Sequence, residues 1–180
     1  MIDRGITLGQ KAAMRTLILM RHAKAVKGSE APSDEARGLT GRGRRDASAA
    51  GAALSEQGLK PTLALVSSST RTRETAEVAL SGIEIETRFE AALYHAASEG
   101  VWDAFAASEA ESVIIIGHNP GFAELASLLI AQAHDNSRAA REFAGNMPTS
   151  SFVAFEIRGE LMHAAGPRLV AAWRPEKRDD

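Results

Sequence analysis

The sequence predicts one α/β domain, a three-layer α/β/α arrangement around a mostly parallel central sheet. Three observations point to it. Short apolar runs rich in β-branched residues alternate with segments whose apolar residues recur at helical spacing. The residues with chemical potential follow directly behind the strand-like runs, where open α/β sheets place their ligands. No repeat, low-complexity tract or linker breaks the 180 residues, a length typical of one domain.

Thr16 to Met20 (TLILM) reads as the first buried strand. The polar stretch 27–38, with Gly28, Pro32 and Gly38, reads as a loop that leaves the space above that strand open. Thr40 is placed to cap a helix to about Gln57, with Ala47, Ala50 and Leu54 on one face. Gly41, Gly43 and Gly51 weaken that helix, and Gly58 ends it. Leu63 to Val66 is the second strand, and Ser69 or Thr70 caps a helix through about Leu80. Ile83 to Ile85 reads as a brief strand, and Ser98 as the cap of a helix bearing Val101, Trp102 and Phe105. Val113 to Ile116 is the clearest strand, four β-branched residues in a row. Asn119 fits an N-cap and Pro120 the first turn of a helix holding Phe122, Leu125, Leu128 and Leu129. Ser151 to Ile157 alternates as a strand, Gly159 marks a turn, and Leu161 to Ala164 is expected to return antiparallel. The domain is expected over 14–173, with 1–13 a flexible N-terminal extension and the tail WRPEKRDD frayed.

Composition narrows the function classes. A formal net charge of −2 gives no global attraction to nucleic acid or to an anionic membrane. There is no cysteine, which removes thiolate nucleophiles, thiolate metal sites and disulfides. No secretory signal is evident at the N-terminus, and no run approaches the roughly 18 apolar residues of a membrane-spanning helix. A cytoplasmic protein without cofactor or metal is expected. The low aromatic content, 5% against 44% apolar residues, requires a core made mostly of Ala, Leu, Val and Ile.

Three segments hold the chemistry: Arg21-His22, Ser67 to Arg71, and Gly117-His118-Asn119-Pro120. Each follows a predicted buried strand, so two imidazoles and two guanidiniums can surround one small anion. His22 as neutral imidazole can attack phosphorus and form a phosphohistidine that water hydrolyses. The bland alternative is a structural histidine at a strand end. Arg21 and Arg71 offer forked donors that match phosphoryl oxygens. Alternatively Arg71 is a solvated cation, though at a helix N-terminus it opposes the helix dipole unless an anion is bound. His118 precedes a helix start, where free N–H groups favour an anion; the alternative is a turn histidine bound to a backbone carbonyl. Gly117 suggests close approach of another group to the backbone. Arg73 is expected to be solvated or paired with Glu77. His95 is a rim candidate, His134 a helix-end cap, His163 structural or surface, and Lys24 peripheral. The basic run Arg37, Arg42, Arg44, Arg45 lacks aromatics and reads as a solvated face, with docking of an acidic partner as the sharper option.

These segments together resemble the histidine phosphatase superfamily, whose fold is phosphoglycerate mutase-like. Within it they are most similar to the small bacterial phosphohistidine phosphatases of the SixA type. Arg21-His22-Ala23 stands where the superfamily usually has Arg-His-Gly, and Gly38-Leu39-Thr40 resembles its loop-to-helix element. Ser67 through Ala76 resembles its second arginine segment, with Thr72 and Glu74 in place of the usual Ala and Gln. Leu93-Tyr94, Gly117 through Gly121, and Met147-Pro148-Thr149-Ser150 complete the likeness, over about residues 15 to 171. The resemblance implies that His22 is the phosphorylated nucleophile and that Arg21, Arg71 and His118 form the phosphate pocket. Glu90 is the candidate general acid by order along the chain. The implied activity is hydrolysis of phosphohistidine on a protein or peptide. The alternatives are a phosphatase of a small phosphate monoester and a non-catalytic phosphoprotein-binding domain.

Overall fold

A computed structural model describes residues 14–158 and 166–176. Six strands and five α-helices follow in the order β1 (Met14–Arg21), α1 (Gly41–Glu56), β2 (Leu63–Ser67), α2 (Thr70–Ala79), β3 (Glu86–Glu90), α3 (Ser98–Ala106), β4 (Ser112–Gly117), α4 (Gly121–Gln132), α5 (Arg138–Phe143), β5 (Phe152–Arg158) and β6 (Arg168–Trp173). They build one sheet in the order β3-β2-β4-β1-β5-β6. β3, β2, β4 and β1 are mutually parallel, while β5 is antiparallel to both β1 and β6.

Alternation along the central strands sorts the core into two layers, because successive side chains point to opposite faces. Leu17, Leu19, Leu63, Leu65, Val113 and Ile115 face α3, α4 and α5, where Phe105, Phe122, Leu129 and Phe143 meet them. Ile18, Met20, Ala64, Val66, Ile114 and Ile116 face α1 and α2, where they meet Ala50, Leu54, Ala76 and Ala79. Burying one such Leu or Ile contributes about 1.5–3 kcal/mol. The small residues on the second face allow close approach. A Cβ on Gly51 of α1 would lie 2.2 Å from the carbonyl oxygen of Ala79 in α2. That contact explains a glycine in mid-helix despite its propensity cost. The Thr40 hydroxyl caps α1, accepting from the Gly43 N–H at 2.9 Å.

The structure corrects several elements. The strand expected at Ile83 to Ile85 lies at Glu86–Glu90 instead, an exposed edge strand parallel to β2. Ile83 and Ile85 pack beside the α1–α2 core instead. Ser98 is the first residue of α3 rather than its cap, and its hydroxyl donates to Glu99. α4 begins at Gly121 with Pro120 in the cap position, one residue later than expected. Asn119 does not cap it, because its amide donates across to the carbonyl of Met147. The antiparallel return is β6, and the expected turn at Gly159 and return at Leu161 to Ala164 lie outside the described residues. Trp173 is not frayed: it ends β6 and stacks on Phe152 at 6.0 Å. Among the described residues no helix is long and apolar enough to cross a membrane.

Candidate functional site

β2, β4 and β1 are neighbours, and their parallel register places Val66, Ile116 and Met20 at one level. The chain therefore leaves all three strands at the same edge. His22 follows β1 and donates its backbone N–H to the carbonyl of Gly117, the last residue of β4, at 3.0 Å. His118 is the next residue after that carbonyl. Arg71 lies in the first turn of α2, behind β2. The segment Met147 to Ser151 closes the far side. It takes the Arg21 guanidinium on the Met147 carbonyl at 2.8 Å and the Arg21 backbone N–H on Ser151 at 3.0 Å.

The imidazoles of His22 and His118 lie with ring centres 5.2 Å apart. Nδ1 of His22 is 2.8 Å from the Ala23 carbonyl oxygen. A carbonyl only accepts, so Nδ1 bears the proton and Nε2 holds the free lone pair. Burial pushes the His22 pKa down to about 4, helped by repulsion from Arg71 and Arg21 and opposed by the Ala23 carbonyl. His118 is fixed by the same logic. Its Nδ1 faces the donor Nη2 of Arg71 at 3.4 Å, so its Nε2–H donates to the Ser67 hydroxyl at 2.8 Å. Burial, then the neighbouring His22 and Arg71 charges, lower its pKa to about 3. Both rings are neutral at pH 7.

A cavity of about 340 Å³ opens above these rings, lined among others by Arg21, His22, Asp34, Arg71 and His118. Arg71 is only 3% exposed. Its Nη1 and Nη2 donate to the main-chain oxygen and the carboxylate of Asp34, at 2.6 and 3.0 Å. The Nε–H groups of both Arg21 and Arg71 are buried without a partner. Buried donors are ordinarily paired, so two orphaned guanidinium N–H groups beside one cavity fit an oxyanion ligand.

Sequence reasoning missed Asp34, and the loop that bears it does not leave the entrance clear. Glu35 ties the loop to the start of α2, accepting from the Thr70 N–H at 2.9 Å and the Ser68 hydroxyl at 3.1 Å. Asp34 also accepts from Arg37 at 2.9 Å and from the Tyr94 hydroxyl at 2.8 Å. Those bonds, with Arg71, hold its carboxyl well below the usual range, and the bond to Asp34 raises the Tyr94 pKa. Arg37 thus belongs to the cavity wall rather than to a solvated face. Arg42 pairs with Asp46 one turn along α1 and Arg44 with Glu74 of α2, so part of the basic run is paired rather than solvated. The signal available in the sequence was the Asp34–Arg37 spacing inside an otherwise unpatterned loop.

The remaining candidates scatter. His95 and Lys24 do line the cavity. Glu90 lines a different cavity, with Leu65, Arg88 and Asp103, and is absent from the lining of the site. Arg73 does not pair with Glu77; its Nε donates to the Ser68 carbonyl and its guanidinium covers the Phe89 ring at 4.3 Å. His134 lies beyond α4 beside a separate hollow, and His163 is outside the described residues. Gly117 does admit a close neighbour, but that neighbour is the Phe122 ring, 2.5 Å from where a Cβ would stand. Among the described residues no group of three or more His, Cys, Asp or Glu could hold a metal ion.

The family model of the histidine phosphatase superfamily (branch 1) matches residues 17–120. An uncharacterised protein of Mycobacterium leprae is 32% identical over 149 residues, covering 80% of this chain and 91% of that one. Among solved structures, a proposed phosphohistidine phosphatase SixA from Nakamurella multipartitia is similar with a TM-score of 0.78 and 29% identity, over 92% of this chain and 99% of that one. The protein histidine phosphatase SixA complexed with tungstate matches in fold, with a TM-score of 0.67 at 20% identity over 88% of this chain and 96% of that one.

Proposed function

The chain belongs to the histidine phosphatase superfamily, and from that premise we propose that it is a phosphohistidine phosphatase acting on a protein or peptide. Nε2 of neutral His22 attacks phosphorus, and the N–P bond of the substrate breaks opposite. The bonding pair stays on the departing ring nitrogen. Arg21 and Arg71 hold the equatorial oxygens while charge redistributes, which is the main work of phosphoryl transfer. Water then hydrolyses the phosphorylated His22 and frees phosphate. Two guanidiniums supply the positive charge, so no divalent ion is needed.

The observation that carries the substrate class is the state of the single carboxylate in the cavity wall. Asp34 is the only acidic residue among those lining the site, and its neighbours keep it ionised. It has no proton to give an alkoxide. A phosphohistidine ring already protonated on its second nitrogen leaves as neutral imidazole without that help, so an N–P bond suits this site better than a phosphate ester. The test compares kcat/KM for a phosphohistidine peptide with that for a panel of sugar, nucleotide and glycerate phosphates, in chelator. Preference for the peptide is expected. A small ester favoured by tenfold or more would overturn the reading, as would activity that depends on an added divalent ion.

A further inference from the structure

Asp34 stands at an unusual place for an anion. The cavity is built to attract a phosphoryl group, yet an ionised carboxylate forms part of its wall. It is not an incidental surface group. Arg37, Arg71 and Tyr94 donate to it at 2.8 to 3.0 Å, and Nε2 of His95 lies 3.6 Å away. Its loop is anchored on both sides, by Glu35 to α2 and by a backbone bridge between Ala25 and Leu39. The side chain remains 48% exposed, so it faces the mouth of the cavity while His118 lies buried inside.

In-line displacement on the proposed reading directs the leaving group outward, to the side that Asp34 lines. With Nε2 of His22 attacking from within, the leaving group departs on the opposite side of phosphorus, towards the mouth. We infer that Asp34 is the specificity-determining residue for that leaving group, selecting an imidazole over an oxygen ester by accepting the N–H of the ring nitrogen that is not phosphorylated. This rests on the phosphohistidine reading above.

The proton count explains why such a residue is useful. A phosphohistidine ring with a proton on its second nitrogen is cationic. When its N–P bond breaks, the electron pair remains on the first nitrogen, the proton remains on the second, and neutral imidazole departs. Without that proton the departing group is an imidazolate, a far poorer leaving group. A carboxylate at hydrogen-bond distance favours the protonated ring, as an opposite charge within about 4–6 Å favours any charged form. The enzyme treats its own ring alike, since the Ala23 carbonyl holds the Nδ1 proton of His22 during attack. Transfer then runs from one N–H-bearing ring to another. An ester offers no N–H, and its leaving oxygen gathers negative charge towards Asp34.

The experiment measures kcat/KM of the wild type, Asp34→Asn and Asp34→Glu on a phosphohistidine peptide and on 4-nitrophenyl phosphate. The ratio of the two values is the readout. Asp34→Asn keeps the size but loses the charge and one of the two oxygens that accept from Arg37, Arg71 and Tyr94, and a fall of tenfold or more in the peptide-to-ester ratio is expected. Asp34→Glu restores the charge and should recover at least part of the ratio. If Asp34 only positions Arg71, both substrates suffer alike in both variants and the ratio stays put, which overturns the inference while leaving the phosphohistidine reading intact. A wild type that fails to turn over the phosphohistidine peptide overturns both.

Discussion

Arg71 and Arg73 are two residues apart on one helix, and the structure assigns them to different worlds. Arg71 is 3% exposed, lines the cavity and holds an unpartnered Nε–H beside it. Arg73 is exposed, lies over Phe89 and donates to the Ser68 carbonyl. Replacing each in turn by alanine should separate reaction from scaffold. Loss of one preorganised oxyanion donor costs about 2.7–4 kcal/mol, or a factor of roughly 10² to 10³ in kcat. Arg73→Ala removes an exposed cation–π contact of about 0.5–1 kcal/mol, which stabilises the folded chain and has no counterpart in the transition state. Its kcat should change less than about threefold while its denaturation midpoint falls. Arg71→Lys is the informative control, because it keeps the charge but loses the fork that matches a phosphoryl group. It should fall between wild type and Arg71→Ala. The assay is kcat and KM on a phosphohistidine peptide, with urea unfolding to check that each variant is folded. Equal losses of kcat in Arg71→Ala and Arg73→Ala would show that the clamp is misassigned. So would a folded Arg71→Ala with wild-type kcat.

Four further outcomes are expected. A phosphodonor should label His22, detected by peptide mapping, and His22→Asn should abolish the label; label on His118 instead would reverse the assignment. His22 has a folded pKa of about 4 against about 6.5 unfolded, so its contribution to stability is full above pH 6.5 and is lost as pH falls towards 4; urea unfolding across that window should show a slope that His22→Asn reduces. Ser67→Ala leaves the buried Nε2–H of His118 without its acceptor, a cost of about 1–3 kcal/mol, and nitrogen NMR of the ring should report a changed tautomer balance. Gly51→Ala forces a Cβ to within 2.2 Å of the Ala79 carbonyl, so overpacking of about 1–3 kcal/mol should outweigh the roughly 1 kcal/mol gained in helix propensity; an unchanged or raised unfolding midpoint would refute that close packing.

What could be read from the sequence, and what could not, follows from where each residue gets its information. β4 is legible because Val113 to Ile116 are buried on both faces and must all be apolar. β3 is not, because an edge strand with four exposed residues of five needs no apolar run and reads as loop. Ile83 and Ile85 drew the assignment to themselves because they are apolar, although they serve a helix layer. Pro120 and Asn119 suit a helix start by residue type, but the Asn119 amide had a better acceptor in Met147, 28 residues away, and local preference yielded to it.

The same division runs through the site. Arg21, His22, Arg71 and His118 are placed by strand ends, so the recognition of three parallel strands was enough to bring them together. Adjacent parallel strands deliver their following residues to one edge whatever the loops do. Asp34 has no such guide. It sits 13 residues beyond Arg21 in a stretch without period, and its position depends on Glu35 reaching Ser68 and Thr70 at the start of α2. Those bonds join segments 33 or more residues apart and leave no local pattern. On the proposed reading, the sheet sets the part of the site that handles phosphorus, apart from the two bonds by which Asp34 holds Arg71, and a tethered loop sets the part that meets the leaving group. On this account a change confined to residues 27–38 should alter which phosphorylated groups are accepted far more than whether phosphate is transferred at all. Grafting an uncharged polar loop of equal length would test this, with phosphorylation of His22 by a small phosphodonor as the readout. Loss of that labelling in a folded graft would show that the loop belongs to the reaction itself.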